Sequence, residues 1–168
     1  YGSLGQYVGK KLEQLGFPVQ GFRRRGQEKE PPAEVLQDEL ASFLSGINIL
    51  VCLLPLTPAT SQILNSKLFD RLPKGAYLIH AARGEHLVDE DLLDALNSGH
   101  LAGAMLDVFG VEPLPVEHPF WHHPKILLTP HCAAITNPAS AAQQILENYR
   151  RLQTQKPLLN QVDRARGY

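Results

Sequence analysis

The chain has 168 residues, enough for about one domain with a sizeable core. Its 43% hydrophobic and 20% charged residues are ordinary for a globular chain, which argues against a disordered or fibrous one. The formal charge of −1 gives no electrostatic case for nucleic acid or an anionic membrane, and no apolar run is long enough to span a bilayer. Cys52 and Cys132 are the only cysteines. Two lone thiols point to a reducing, cytoplasmic setting. Cys52 reads as a small buried hydrophobe. A Cys132–His131 nucleophilic pair finds no support, because adjacent residues usually point apart.

In chain order, Tyr7 to Leu15 reads as a helix opened by a glycine loop, with Gly16 as its stop. Phe17 to Phe22 reads as a short strand and Arg23 to Pro32 as a polar loop. Glu34 to Leu44 is helical, with Val35, Leu36, Leu40 and Phe43 on one face. Ile47 to Leu54 is a near-continuous apolar strand, expected to be covered on both faces. Pro55 to Ser61 is a loop. Ser66 to Leu72 is a short helix before the turn Pro73-Lys74-Gly75. Ala76 to Ala81 is a strand, Asp89 to Ser98 a helix stopped by Gly99, and Leu101 to Leu106 a strand. Asp107 to Pro124 is a long loop with four prolines, a length often kept for function. Lys125 to Leu128 is the last strand. Pro138 to Gln153 is a helix with Asn137 as N-cap. Strands alternating with helices at this spacing predict an α/β fold with a parallel sheet.

Tyr1-Gly2-Ser3-Leu4-Gly5 matches the latter part of G-x-G-x-x-G. Gly2 would let backbone approach a pyrophosphate, Gly5 would allow close helix–strand packing, and the following helix dipole favours phosphate. Alone, the segment is more often a turn; the alternating pattern behind it favours the dinucleotide reading. An acidic residue is expected at the end of the second strand, for the ribose hydroxyls. The sequence there is Phe22-Arg23-Arg24-Arg25. Three guanidinium groups suit a 2′-phosphate and hence NADP, with NAD left open. The bland reading is a solvated basic loop.

Three polar groups follow successive strands: Arg83 in Ala82-Arg83-Gly84, Glu112 in Glu112-Pro113-Leu114, and His131 in Thr129-Pro130-His131. Asp107 precedes Glu112. Ligands bind outside the carboxyl ends of such strands, so these groups can converge on one crevice. Singly, the histidine could be structural, the Arg–Glu pair a surface ion pair, and Asp107 a turn cap. As an ordered set they read as a site. His118, His122 and His123 lack the fourth ligand and supporting shell of a zinc site, so no metal is expected; Phe120 and Trp121 are expected to pack that loop down. His80, His86 and His100 match no motif and receive no role.

With these segments, in order and near-family spacing, the chain resembles the D-isomer-specific 2-hydroxyacid dehydrogenases nearly end to end. Its basic loop and residues 161–168 look like the bacterial glyoxylate/hydroxypyruvate reductase subgroup. The resemblance implies a Rossmann-type doubly wound parallel sheet lacking its first strand. Residues 1–153 would form an incomplete dinucleotide-binding domain, and residues 154–168 a tail returning toward a substrate domain outside this chain. It implies NADP-preferring reduction of small 2-oxo acids, such as glyoxylate and hydroxypyruvate, to 2-hydroxy acids. Arg83 would grip the substrate carboxylate and polarise the oxo group. His131 would be the general acid, oriented by Glu112. Gly2, Ser3, Leu4 and Gly5 would hold the pyrophosphate and Arg23, Arg24 and Arg25 the 2′-phosphate. Leu54, Pro55 and Thr60 would line the adenine and ribose side. Ala81, Ala82, Arg83, His131 and Ala133 would approach the nicotinamide, and Asp107 its carboxamide. A homodimer is expected in the intact protein.

The chemistry agrees, since hydride addition builds charge on oxygen that a cation and a proton donor stabilise. The alternatives are a non-catalytic dinucleotide-binding corepressor or scaffold, an inactive fragment, or a formate- or phosphoglycerate-type dehydrogenase. Glu112 disfavours the formate type and the basic loop disfavours NAD-preferring members.

Overall fold

The computed structural model describes residues 2–22 and 33–162; the Arg23, Arg24 and Arg25 pocket lies outside these. The first helix, α1 (Ser3–Gln14), begins earlier than the apolar period predicts. Gly2 is its N-cap, in extended backbone. It ends as expected: Gly16 takes φ +88°, and the Gly16 and Phe17 amides donate to Glu13 and Leu12 carbonyls, closing the last turn in a Schellman pattern.

Phe17 to Phe22 is not a strand. Its residues join no ladder with the described strands, and a strand requires a neighbouring strand to pair with. The helix α2 (Ala33–Leu44) follows. Leu44 is buried, and Leu40 and Phe43 pack on the core beside it.

Among the described residues four strands form one sheet: β1 (Ile49–Cys52), β2 (Ala76–His80), β3 (Leu101–Leu106) and β4 (Ile126–Leu128). They are parallel and lie in sequence order. Consecutive parallel strands in sequence order, with helices in the first two connections, make this a Rossmann-type α/β sheet. The edges fall short of expectation. Ile49 is 47% exposed at one edge and Leu127 64% at the other, so β1 is not covered on both faces.

The first two crossovers carry α3 (Ser66–Phe69) and α4 (Asp89–Asn97), and the third is the proline-rich loop with a 3₁₀ turn at Pro119–His122. Asn65 caps α3 by accepting from the Leu68 amide. Asp89, Glu90 and Asp91 occupy the first turn of α4, where the helix dipole favours negative charge. Asp91 also accepts from the Ser66 amide, tying α4 to α3. Leu92 and Leu96, one turn apart, are fully buried and meet Phe69, Leu78, Leu101 and Leu106 in the core. Gly99 stops α4 at φ +72°.

The helix α5 (Pro138–Gln153) has the predicted bounds, with Asn137 accepting from the Ala139 and Ser140 amides. It buries none of its residues. Residues 154–162 turn back along it, Asn148 exchanging two hydrogen bonds with the Leu159 backbone.

Candidate active site

Arg83 lies just past β2 and opens a 3₁₀ turn, Gly84–His86. Its carbonyl accepts from His80 Nε2 at 2.9 Å, His86 Nδ1 at 2.8 Å and the His86 amide at 3.1 Å. Its guanidinium donates to the Ala82 carbonyl. The backbone is therefore fixed from inside, while the charged head is at the surface. His80 and His86, which no sequence motif marked, are both fully buried. The spacing His80-x-x-Arg83-x-x-His86 was the one available signal.

Glu112 follows β3 in the proline-rich loop. One carboxylate oxygen accepts from the Phe109 amide at 3.0 Å and the other from His131 Nδ1 at 2.7 Å. The His131 hydrogen bond, then the Phe109 one, hold the Glu112 carboxyl below its usual range. Because Nδ1 faces a carboxylate it carries a proton, which leaves Nε2 for a reactant. His131 holds φ +50°, a left-handed conformation unusual for a residue with Cβ.

That conformation is fixed by Asp107. Its carboxylate accepts from the Thr129 hydroxyl and the Cys132 amide on one oxygen and from the Ala133 amide on the other. Burial opposes its ionisation, but the bonds from Thr129, Ala133 and Cys132 outweigh burial and lower its pKa. Asp107 is 1% exposed, and its carboxylate holds this turn.

The Arg83 and Glu112 loops are pressed together. A Cβ at Gly84 would lie 1.9 Å from the Phe109 carbonyl carbon, so only glycine fits. Arg83, Gly84, Glu85, Phe109, Gly110, Glu112 and His131 line a cavity of about 200 Å³. The three residues expected to carry chemistry are thus brought to one cleft, open to solvent and sized for a small molecule.

The cofactor-side residues are placed as follows. The N-terminus of α1 has no side-chain cap, and nothing lies within 4 Å of where a Gly2 Cβ would be. The amides that follow, in Ser3, Leu4 and Gly5, belong to the turn whose N–H groups lack helical partners. An open, uncapped, positive helix end fits a phosphate. Leu54 and Thr60 are half-buried and Pro55 is exposed. The Thr60 hydroxyl donates to the Pro55 carbonyl at 2.7 Å, folding that loop on itself. Ala81 is half-buried, Ala82 buried and Ala133 exposed.

His118 bonds Asp89 at 3.3 Å and accepts from the Phe120 amide. Phe120 packs its loop down as expected. Trp121 does not: it is 51% exposed and its indole N–H donates to the Pro115 carbonyl.

Residues 1–133 match the family model described as D-isomer specific 2-hydroxyacid dehydrogenase, NAD binding domain. Glyoxylate/hydroxypyruvate reductase A of Salmonella typhimurium is 47% identical over 169 aligned positions, covering 99% of this chain and 54% of that protein. The chain spans about half the length of the curated relatives it matches. A D-isomer specific 2-hydroxyacid dehydrogenase from Xanthobacter autotrophicus, solved with NADPH and MES, superposes with TM-score 0.89 at 44% identity, over 99% of this chain and 69% of that one. An NADPH-dependent glyoxylate/hydroxypyruvate reductase from Sinorhizobium meliloti, solved with NADP and sulfate, gives TM-score 0.88 at 38% identity, over 99% and 54%. With the family model reaching from the glycine loop to Ala133, just past the candidate histidine, the chain belongs to the D-isomer specific 2-hydroxyacid dehydrogenases through their NAD-binding domain.

Proposed function

We propose that this chain is the nucleotide-binding part of an NADPH-dependent reductase of small 2-oxo acids, with glyoxylate and hydroxypyruvate as its substrates. The observation that carries the reading is the meeting of Arg83, Glu112 and His131 on one small cleft, with Glu112 bonded to His131 at 2.7 Å. When bound, the nicotinamide supplies the hydride. Gly2, Ser3, Leu4 and Gly5 would hold its pyrophosphate at the open end of α1, and Arg23, Arg24 and Arg25 its 2′-phosphate. The loop with Leu54, Pro55 and Thr60 would take the adenosine side, and Ala81, Ala82 and Ala133 would border the nicotinamide.

Arg83 binds the substrate carboxylate and its charge polarises the oxo group toward the developing alkoxide. His131 Nε2 gives the proton that alkoxide takes up, while Glu112 accepts from Nδ1 and keeps the ring in register. In the reverse direction His131 Nε2 accepts the proton. Asp107 supports this by accepting from the Thr129 hydroxyl before the histidine and from the Cys132 and Ala133 amides after it. In this reading, residues 1–153 are the nucleotide-binding unit and residues 154–168 lead to the part of the protein that closes over the substrate. The intact enzyme is a cytoplasmic homodimer.

The test is a panel on the full-length gene product: NADPH and NADH, each against glyoxylate, hydroxypyruvate, pyruvate and 2-oxobutyrate. Rapid NADPH consumption with the first two is expected. A strong NADH preference would remove the role given to Arg23, Arg24 and Arg25. No turnover of any 2-oxo acid would leave a dinucleotide-binding protein without this chemistry.

A further inference from the structure

We infer that His80 and His86 are positioning residues of this site: together they clamp the main chain of Arg83, and His86 also joins it to the Pro55 loop. The inference rests on the reading of Arg83 as the substrate-side cation and of Pro55 as part of the cofactor side.

The geometry is specific. Carbonyl oxygens only accept, so each contact with one requires a proton on the ring nitrogen. His80 must therefore carry its proton on Nε2, which faces the Arg83 carbonyl at 2.9 Å. Its Nδ1 has no partner among the described residues. Burial, then the neighbouring His86, push its pKa down to about 4 despite the Arg83 hydrogen bond, so the ring is neutral. A neutral ring that leaves one nitrogen orphaned is a costly way to fill a core. The use it has is to donate to Arg83.

His86 faces a carbonyl with each nitrogen: Arg83 at 2.8 Å from Nδ1 and Pro55 at 3.3 Å from Nε2. The two rings stand edge to face, centroids 5.8 Å apart. Around them the two loops are stitched by backbone. The Gln62 amide donates to the Glu85 carbonyl, Leu64 to His86, and Val88 back to Leu64. A shift of the Pro55 loop is thereby transmitted to Arg83 through one imidazole, with the stitching as a rigid frame. The Pro55 carbonyl also takes the Thr60 hydroxyl, so the far end of the link is fixed as well.

Two conservative substitutions separate the contacts. The Asn amide nitrogen stands near Nδ1 of a histidine and the Gln amide nitrogen near Nε2. His86→Asn in the full-length protein keeps the donor to Arg83 and loses the one to Pro55. His86→Gln does the reverse. With hydroxypyruvate and NADPH, His86→Gln is expected to raise KM for the 2-oxo acid about tenfold, and His86→Asn that for NADPH by a similar factor.

Crystal structures of both variants read the same point without turnover: Arg83 displaced in His86→Gln and retained in His86→Asn. Both KM values unchanged in both variants, or a matched loss of kcat alone, would overturn the inference, as would an undisplaced Arg83. His80 gives an independent contrast should a His86 variant not fold. His80→Leu is expected to raise KM for the 2-oxo acid and His80→Gln, which keeps the Nε2 donor, to restore it; equal values for the two would overturn the inference. If the wild-type protein turns over no 2-oxo acid, the functional reading fails and the crystal structures alone decide the clamp.

Discussion

Arg83 and His131 face the same cleft but are held there by opposite means. The Arg83 loop is anchored inward. Ala82, Gly84, His86 and Leu87 are buried, and ring N–H donors grip a backbone oxygen. The His131 loop is anchored from outside itself. Residues 131–140 are exposed, and a buried carboxylate just past β3 holds the Cys132 and Ala133 amides. One side depends on shape and ring donors to a main-chain oxygen, the other on a carboxylate. In both, the part that chemistry would use lies at the surface.

The largest expected effect tests that separation on the His131 side. In the full-length protein, His131→Gln should lower kcat for hydroxypyruvate reduction about a thousandfold, the loss of a positioned proton donor. The melting temperature should hold, because Asp107 bonds the neighbouring amides and not the ring. Arg83→Lys comes next. A point charge cannot replace a planar fork, and kcat/KM should fall about a hundredfold. Its melting temperature should also hold, because the clamp grips backbone. A large drop in stability in either variant would erase the distinction between anchor and working group.

Asp107→Asn should reverse the pattern. An amide nitrogen would face an N–H or hydroxyl donor, costing about 2 kcal/mol in denaturant unfolding and loosening the His131 loop while Arg83 stays in place.

Acid should give the smallest but most discriminating effect. His80 has a folded pKa below its ordinary value, so the unfolded chain binds the proton first. Stability on the Arg83 side should decline as pH falls from 6.5 toward about 4, then level off. Asp107 and Glu112 have lowered carboxyl pKa values. Their contribution is full above the ordinary carboxylate range and lost as pH falls through their folded pKa values. Amide exchange followed by mass spectrometry should therefore quicken at Arg83–Val88 in mild acid, and at Cys132 and Ala133 only in stronger acid. One common midpoint would break the comparison.

Much of this was legible in the sequence, and the reasons are local. Asp89 to Ser98 reads as a helix because acidic residues open it, Leu92 and Leu96 share a face, and Gly99 stops it. Asn137 before Pro138 marks α5 in the same way. The order Arg83, Glu112, His131 after successive strands was enough to predict their meeting. Other features depend on contacts distant in sequence. Phe17 to Phe22 has strand composition, but a strand is defined by its neighbour. Asp107 looks like one more acidic residue near the site until Thr129, Cys132 and Ala133 are folded onto it. His80 and His86 carry no motif because what they recognise is a main-chain carbonyl, which every residue possesses.

Gly84, wedged against Phe109, has a consequence for reading mutational data on this fold. In a saturation scan it should score as severely as Arg83, although it has no group to offer a substrate. Any side chain there would push Phe109 and Gly110, and with them Glu112, away from the arginine. An intolerant position in this loop therefore marks either a working residue or an empty space that must stay empty. The two are told apart by whether the purified variant is folded and inactive or not recovered at all.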